Sequence, residues 1–247
     1  MQTPVVFIHG LIGSLQLPEL CAAFAPGRAL APDLLGYGAQ RQVPAEAIDL
    51  PAQVEHLYRV IEEQFPGEAV HLVGHSVGGA VAMLFAQAHG ERVRSLVSVE
   101  GNFSLDDAFW SAAVARMSAL EAEAMLDGFR ADPGAWLARA GVAVDARSLG
   151  IAERWLAQQP ASTLQAMACS VVALTAPDGY RDGLRRVFAS HPVHLLAGAR
   201  SRAGWHVPAW AEQAAASQTQ IADAGHLPML ERPQAFLDAV RRALQLA

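Results

Sequence analysis

The sequence predicts an α/β fold: an open, mostly parallel sheet of about six strands, with helices on both faces and a helical cap inserted before the penultimate strand. Three observations predict it. Short apolar runs rich in branched residues alternate with amphipathic stretches at helical spacing, the pattern of buried parallel strands joined by crossover helices. One such run, Ala69 to Val73, passes through Gly74-His75-Ser76-Val77-Gly78-Gly79 into small and apolar residues at helical spacing from Ala80 to His89. Between about Leu105 and Ser190 no convincing strand-like run occurs, and helical stretches rich in Ala, Leu, Arg and Trp take over until strands resume at Pro192.

The chain has 247 residues, 52% of them hydrophobic. That suffices for one large core or a domain carrying an insertion. A net charge of −6 without any Lys/Arg cluster argues against a nucleic-acid or anionic-membrane surface. Cys21 and Cys169 are too few and too far apart for a disulfide framework or a metal knuckle. Met1-Gln2-Thr3-Pro4 leads directly into a strand, with no basic segment and no cleavable apolar one, and no apolar run is long enough to span a bilayer. The expectation is a soluble protein of a reducing compartment, most simply cytoplasmic, with no membrane insertion and no nucleic-acid partner.

Pro4 to Ile8 reads as the first strand and ends in His9-Gly10-Leu11-Ile12-Gly13-Ser14. A loop leaving the C-terminal end of a parallel strand beside a nucleophile aims backbone N–H groups at a reacting carbonyl oxygen. Leu11 N–H is the candidate donor, paired with Val77 N–H, while the Leu11 side chain shapes the pocket. His9 is read as packed at the strand end and bonded to backbone. Arg28 to Pro32 forms a second strand, and Asp33 fixes the loop that follows it. Leu50 to Phe65 is an amphipathic helix with Val54, Leu57, Tyr58 and Ile61 on one face, Asp49 as N-cap and Pro51 in the first turn.

Gly74 and Gly78 flank Ser76 so that strand and helix pack closely, and the turn lifts Ser76 out at the strand's C-terminal end, near the positive pole of the next helix. Val93 to Val99 is a further strand, closing on Glu100-Gly101-Asn102-Phe103. Its carboxylate therefore lies on the functional rim of the sheet. The expected core is residues 1–102 and 191–247, and the expected cap residues 103–190. Breaks in the cap are expected at Asp132-Pro133-Gly134, Gly141, Gly150, Pro160 and Pro177-Asp178-Gly179. Of Phe103, Phe109, Trp110, Met117, Met125, Trp136 and Trp155, only a minority should line a substrate pocket, because such residues at helical spacing mostly pack. Strands at Pro192 to Ala197 and Thr219 to Ala222, a helix at Val207 to about Ala216, and a closing helix over Gln234 to Leu246 complete the chain.

The chain resembles the α/β-hydrolase family, on His9-Gly10 with Gly13-Ser14, on Gly74-His75-Ser76-Val77-Gly78-Gly79, and on Gly225-His226 followed by Pro228-Met229-Leu230-Glu231-Arg232-Pro233. An early start that leaves no room for the family's frequent antiparallel hairpin is one departure. The resemblance implies Ser76 as nucleophile and His226 as the base that takes its proton. Many relatives carry an Asp after the penultimate strand, but Gly198-Ala199-Arg200-Ser201 offers no carboxylate. Some relatives place the acid at the end of the preceding strand, where Glu100 stands; Asp223 is the alternative. The implied function is cleavage of a small or medium carboxylic ester or thioester through an acyl-enzyme, acting on a small molecule without cofactor or metal, as monomer or homodimer. Carbon–carbon bond hydrolysis, lyase chemistry, cofactor-free dioxygenation and a non-catalytic ligand receptor remain as alternatives.

Overall fold

The computed structural model describes residues 2–246. Six strands form one sheet, each pairing parallel to its neighbours: β1 (Val5–Ile8), β2 (Ala29–Leu30), β3 (Val70–His75), β4 (Val93–Val99), β5 (Val193–Gly198) and β6 (Ser217–Ile221). Their spatial order is β2-β1-β3-β4-β5-β6. Every residue of β1, β3 and β5 is buried, on both sides of the pleat, which requires cover on both faces. The order reverses between β1 and β3. A crevice therefore opens at their C-terminal ends, where open α/β sheets take ligands.

Helices α1 (Pro18–Ala22), α2 (Leu50–Gln64) and α3 (Val77–Ala88) follow in chain order among the first strands. Asp49 caps α2 by accepting from Ala52 N–H at 2.7 Å, with Pro51 in the first turn. Val54, Leu57 and Ile61 face the core, and the Tyr58 ring stacks on His89. Between β4 and β5 run α4 (Phe109–Ala115), α5 (Ala119–Ala131), α6 (Pro133–Arg139), α7 (Ala146–Ala157), α8 (Ala161–Thr175) and α9 (Asp178–Ser190). The first five pack largely on one another, and α9 packs on α3. Side chains set their starts: Ser118 with Glu121 and Asp145 with Ser148 form capping boxes for α5 and α7, and Asp132 caps α6. The chain ends with α10 (Ala209–Ala214), α11 (Pro228–Glu231) and α12 (Pro233–Ala243).

Several expected boundaries move, each for a local reason. The break expected at Gly150 is absent, because this glycine lies inside α7. One interior glycine costs only about 1 kcal/mol relative to Ala, and the capping box and buried face of α7 offset it. The break expected at Pro177-Asp178-Gly179 is present: α8 ends at Thr175, Pro177 is the N-cap of α9, and Gly179 lies in its first turn. The strand expected over Arg28 to Pro32 pairs only at Ala29 and Leu30, as suits an edge strand ending at Pro32, which has no N–H to donate. Pro208 caps α10, so that helix starts at Ala209 and ends two residues early. Pro233 opens α12 one residue early, and Leu244 is its C-cap. The segment after His226 holds a single helical turn, α11, too short to show periodicity in sequence.

The turn after β3 depends on missing side chains. A Cβ on Gly78 would lie 2.3 Å from Ile8 O and 2.5 Å from His9 O, and one on Gly74 would lie 2.4 Å from Gly78 O. No rotamer relieves a clash with backbone. Gly78→Ala should therefore lower unfolding free energy by about 3 kcal/mol, the upper range for overpacking, measured by urea titration. A loss within about 0.5 kcal/mol, the range of surface substitutions, would mean that β1 and α3 are not in backbone contact.

Candidate active site

Ser76 stands between β3 and α3 with φ 53° and ψ −123°. A non-glycine residue at positive φ is strained, and the packed glycines around it hold the strain. Its side chain makes no capping bond to α3, so the hydroxyl is not committed to the helix whose N-terminus it occupies. Beside it, a Cβ on Gly10 would fall 3.1 Å from Ser76 Cβ, so the loop after β1 is pressed against the serine. Tyr37, fully buried, donates its hydroxyl to Leu11 O at 2.9 Å and fixes that peptide. Both Leu11 and Ser76 line a cavity of about 790 Å³.

His226 also lines this cavity. Its Nδ1–H donates to Glu100 Oε2 at 2.8 Å, which leaves Nε2 as the basic nitrogen. Glu100, at the end of β4 and 6% exposed, has φ 46°. Its other oxygen, Oε1, accepts from Gly198 N–H at 2.9 Å and from the Ser201 hydroxyl at 2.5 Å. Burial alone would push this carboxyl up, but the hydrogen bonds from His226, Ser201 and Gly198 outweigh it and hold the group below the usual carboxylate range. Asp223, the alternative acid, points into solvent with its side chain 80% exposed and lies 3.7 Å from Arg232.

Two further histidines adjoin these groups. His75 is buried, and its Nε2–H donates to the backbone carbonyl of His226 at 2.8 Å, the rings lying 4.7 Å apart. Desolvation, with the neighbouring His226 second, drives its pKa far below the ordinary value, so it stays neutral. His9 has the expected structural role: buried, with Nδ1 on Gly10 O at 2.9 Å and its ring edge-on to Tyr37. Burial lowers its pKa as well.

Phe109, Trp110 and Trp136 line the cavity, whereas Phe103 and Trp155 are core: Phe103 packs against Phe188 and Trp205, and Trp155 covers Gly13. Met117 and Met125 pack against the core. Sequence reasoning missed Asn102, Phe129, Ser201 and Trp205, which also face the cavity. Ser201 stands in the loop after β5, which has no carboxylate of its own; its hydroxyl donates to the Glu100 carboxylate supplied by the neighbouring strand.

The model for the alpha/beta hydrolase family matches residues 5–239. The chain belongs to the α/β-hydrolase family. Among relatives of this chain, Lipase LipV of Mycobacterium tuberculosis is 37% identical over 103 residues, covering 41% of this chain and 38% of the lipase. 2-Hydroxymuconate semialdehyde hydrolase of Pseudomonas sp. is 36% identical over 103 residues, 38% of this chain and 35% of that enzyme. These matches span well under two thirds of the relatives' length. A carboxylesterase structure from Nitrososphaera gargenis superposes with a TM-score of 0.72 at 15% identity, covering 98% of this chain and 90% of that one. An esterase from Exiguobacterium antarcticum does so with a TM-score of 0.70 at 18% identity, over 99% and 92%. At such identities the likeness carries the fold. Among the described residues, no helix is long and apolar enough to cross a membrane.

The state of Glu100 has a measurable sign. A carboxylate whose folded-state pKa is depressed stabilises the fold above its unfolded-state pKa and loses that contribution as pH falls through the folded value. Wild-type chain should therefore exceed Glu100→Gln in unfolding free energy at pH 7, and the gap should close as pH drops below about 4.3, the ordinary Glu pKa. A gap unchanged between pH 7 and pH 3 would mean that Glu100 is not held as the carboxylate.

Proposed function

We propose that this α/β hydrolase cleaves a small or medium carboxylic ester or thioester through an acyl-enzyme on Ser76. The supporting observation is the Glu100 Oε2 to His226 Nδ1 hydrogen bond at 2.8 Å, on the wall of the cavity that also holds the uncommitted Ser76 hydroxyl. In this reading His226 Nε2 takes the Ser76 proton as Oγ attacks the carbonyl carbon, and the imidazolium that forms is stabilised by Glu100. The tetrahedral oxyanion is held by Leu11 and Val77 N–H, the latter at the start of α3 where the helix dipole adds to it. His226 then protonates the leaving group, and water activated by the same imidazole releases the acid.

Residues 103–190 serve as the cap in this reading, and their apolar contribution from Phe109, Trp110, Phe129 and Trp136 favours an apolar acyl or alcohol part. Ester cleavage accords with the lipase relative and with esterases of the same fold. Carbon–carbon bond hydrolysis is the second reading, favoured by the likeness to 2-hydroxymuconate semialdehyde hydrolase. Both use the same serine, histidine and acid.

A fluorophosphonate probe should label Ser76, located by mass spectrometry, and labelling should slow in His226→Ala and Glu100→Ala. Against p-nitrophenyl butyrate, Ser76→Ala should lose about 10,000-fold in kcat, and Glu100→Ala about 100-fold or more. Undiminished turnover in Ser76→Ala would sink the acyl-enzyme mechanism. Turnover of a vinylogous 1,5-diketone with none of any ester would favour the second reading.

A further inference from the structure

The segment that follows Glu100 is held almost entirely by its backbone. Trp205 Nε1–H donates to Gly101 O at 2.8 Å, the Tyr180 hydroxyl donates to Asn102 O at 2.8 Å, and Phe103 N–H donates to Asp107 Oδ2 at 2.9 Å. The Asn102 side chain takes no part in this. It is 5% exposed, it lines the cavity that contains Ser76 and His226, and its Oδ1 is buried with no hydrogen-bond partner among the described residues. A polar atom in that condition destabilises the fold unless something satisfies it. Of the unpartnered buried polar side chains among the described residues, only Asn102 lies on the cavity wall.

We infer that Asn102 is a specificity-determining residue whose carboxamide receives an uncharged hydrogen-bonding group of the substrate, a hydroxyl on the acyl or alcohol part of the ester. This rests on the ester-cleaving reading given above. The charge around Asn102 selects an uncharged partner. Glu100 lies two residues before it, and the Asp107 carboxylate faces the same cavity with both oxygens engaged by the N–H groups of Phe103 and His206. An anion there would meet two carboxylates. The cavity's arginines do not reverse this: Arg200 is paired with Glu231, and Arg139 lies over the Phe129 ring, both side chains being exposed and hydrated. A hydroxyl both donates and accepts, so it pairs with the carboxamide whichever way its oxygen and nitrogen are turned. Ser111 also lines the cavity, next in the chain to the apolar Phe109 and Trp110.

The test compares matched esters within each variant, so that a general loss of activity cancels. The acyl pair is p-nitrophenyl butyrate and p-nitrophenyl 3-hydroxybutyrate; the alcohol pair is butyl butyrate and 3-hydroxybutyl butyrate, followed by pH-stat. In wild type, at least one pair should favour the hydroxylated member in kcat/KM by about tenfold, the scale on which leaving a buried polar group unpaired counts. Asn102→Leu should abolish or reverse that preference through KM and kcat together, and Asn102→Ser, which keeps a hydroxyl and is smaller, should retain part of it. Equal ratios in wild type and Asn102→Leu for both pairs would overturn the assignment of Asn102 alone. Failure of the ester-cleaving reading is seen separately, as no turnover of any of the four esters and no fluorophosphonate on Ser76.

Discussion

The contact from which the rest of the site follows is one between backbones at the turn after β3. Gly78 meets the carbonyls of Ile8 and His9 at the end of β1, and Gly79 meets Gly101 just past the end of β4. Three strand ends are thereby drawn to one point, at the crevice where the sheet order reverses. Each brings its own group: β3 the serine, β1 the Leu11 peptide, β4 the Glu100 carboxylate. Side-chain packing alone would leave these loops free to shift by the width of a rotamer. Glycine-to-backbone contact does not, because neither partner has a softer position to move to.

Around that point the polar groups are fixed in series. Glu100 is gripped on Oε1 by the two donors from the β5 end, Gly198 and Ser201, so that Oε2 alone is turned to His226. His226 is held a second time through its own carbonyl by His75, which burial keeps neutral and therefore a fixed single donor at Nε2. The same logic orders the opposite wall, where Tyr37 holds Leu11 and His9 fills the space beneath. A charged His75 next to His226 would oppose the imidazolium of the proposed acyl transfer; desolvation removes that opposition by keeping His75 neutral.

Much of this was legible in the sequence because its determinants are local. A glycine two residues either side of Ser76, between an apolar run and helical spacing, has one economical explanation, and the parallel sheet followed from the same alternation. Glu100 was legible for a related reason: a carboxylate closing an apolar strand has few places to go. What stayed hidden depends on contacts distant in sequence. Ser201 reads as an ordinary loop serine until Glu100 is seen 2.5 Å away. Helical periodicity in residues 103–190 identifies helices but not which face is turned to the cavity, so Trp136 and Trp155 look equivalent in sequence although one lines the cavity and the other covers Gly13. Asn102 carried no signal, since an unpartnered carboxamide is visible only once its surroundings are closed.

In the proposed mechanism Glu100 is the acid, and its place on β4 accounts for a loop after β5 that carries no carboxylate. A side chain starting from β4 must reach past the end of β5 to the imidazole on the loop after β6, and a glutamate has one more methylene than an aspartate with which to do so. That longer chain has more rotamers to lose. The left-handed backbone at Glu100, φ 46°, and the two donors on Oε1 restrict it before His226 engages. The β5 loop thus holds the carboxylate that β4 supplies. Gly198 is required at this point, because a Cβ there would lie 2.2 Å from Gly225 O, and the close approach it permits brings the loop that carries His226 against the end of β5. The anchor of Glu100 and the loop of His226 therefore share one backbone contact, so that a displacement of either moves both.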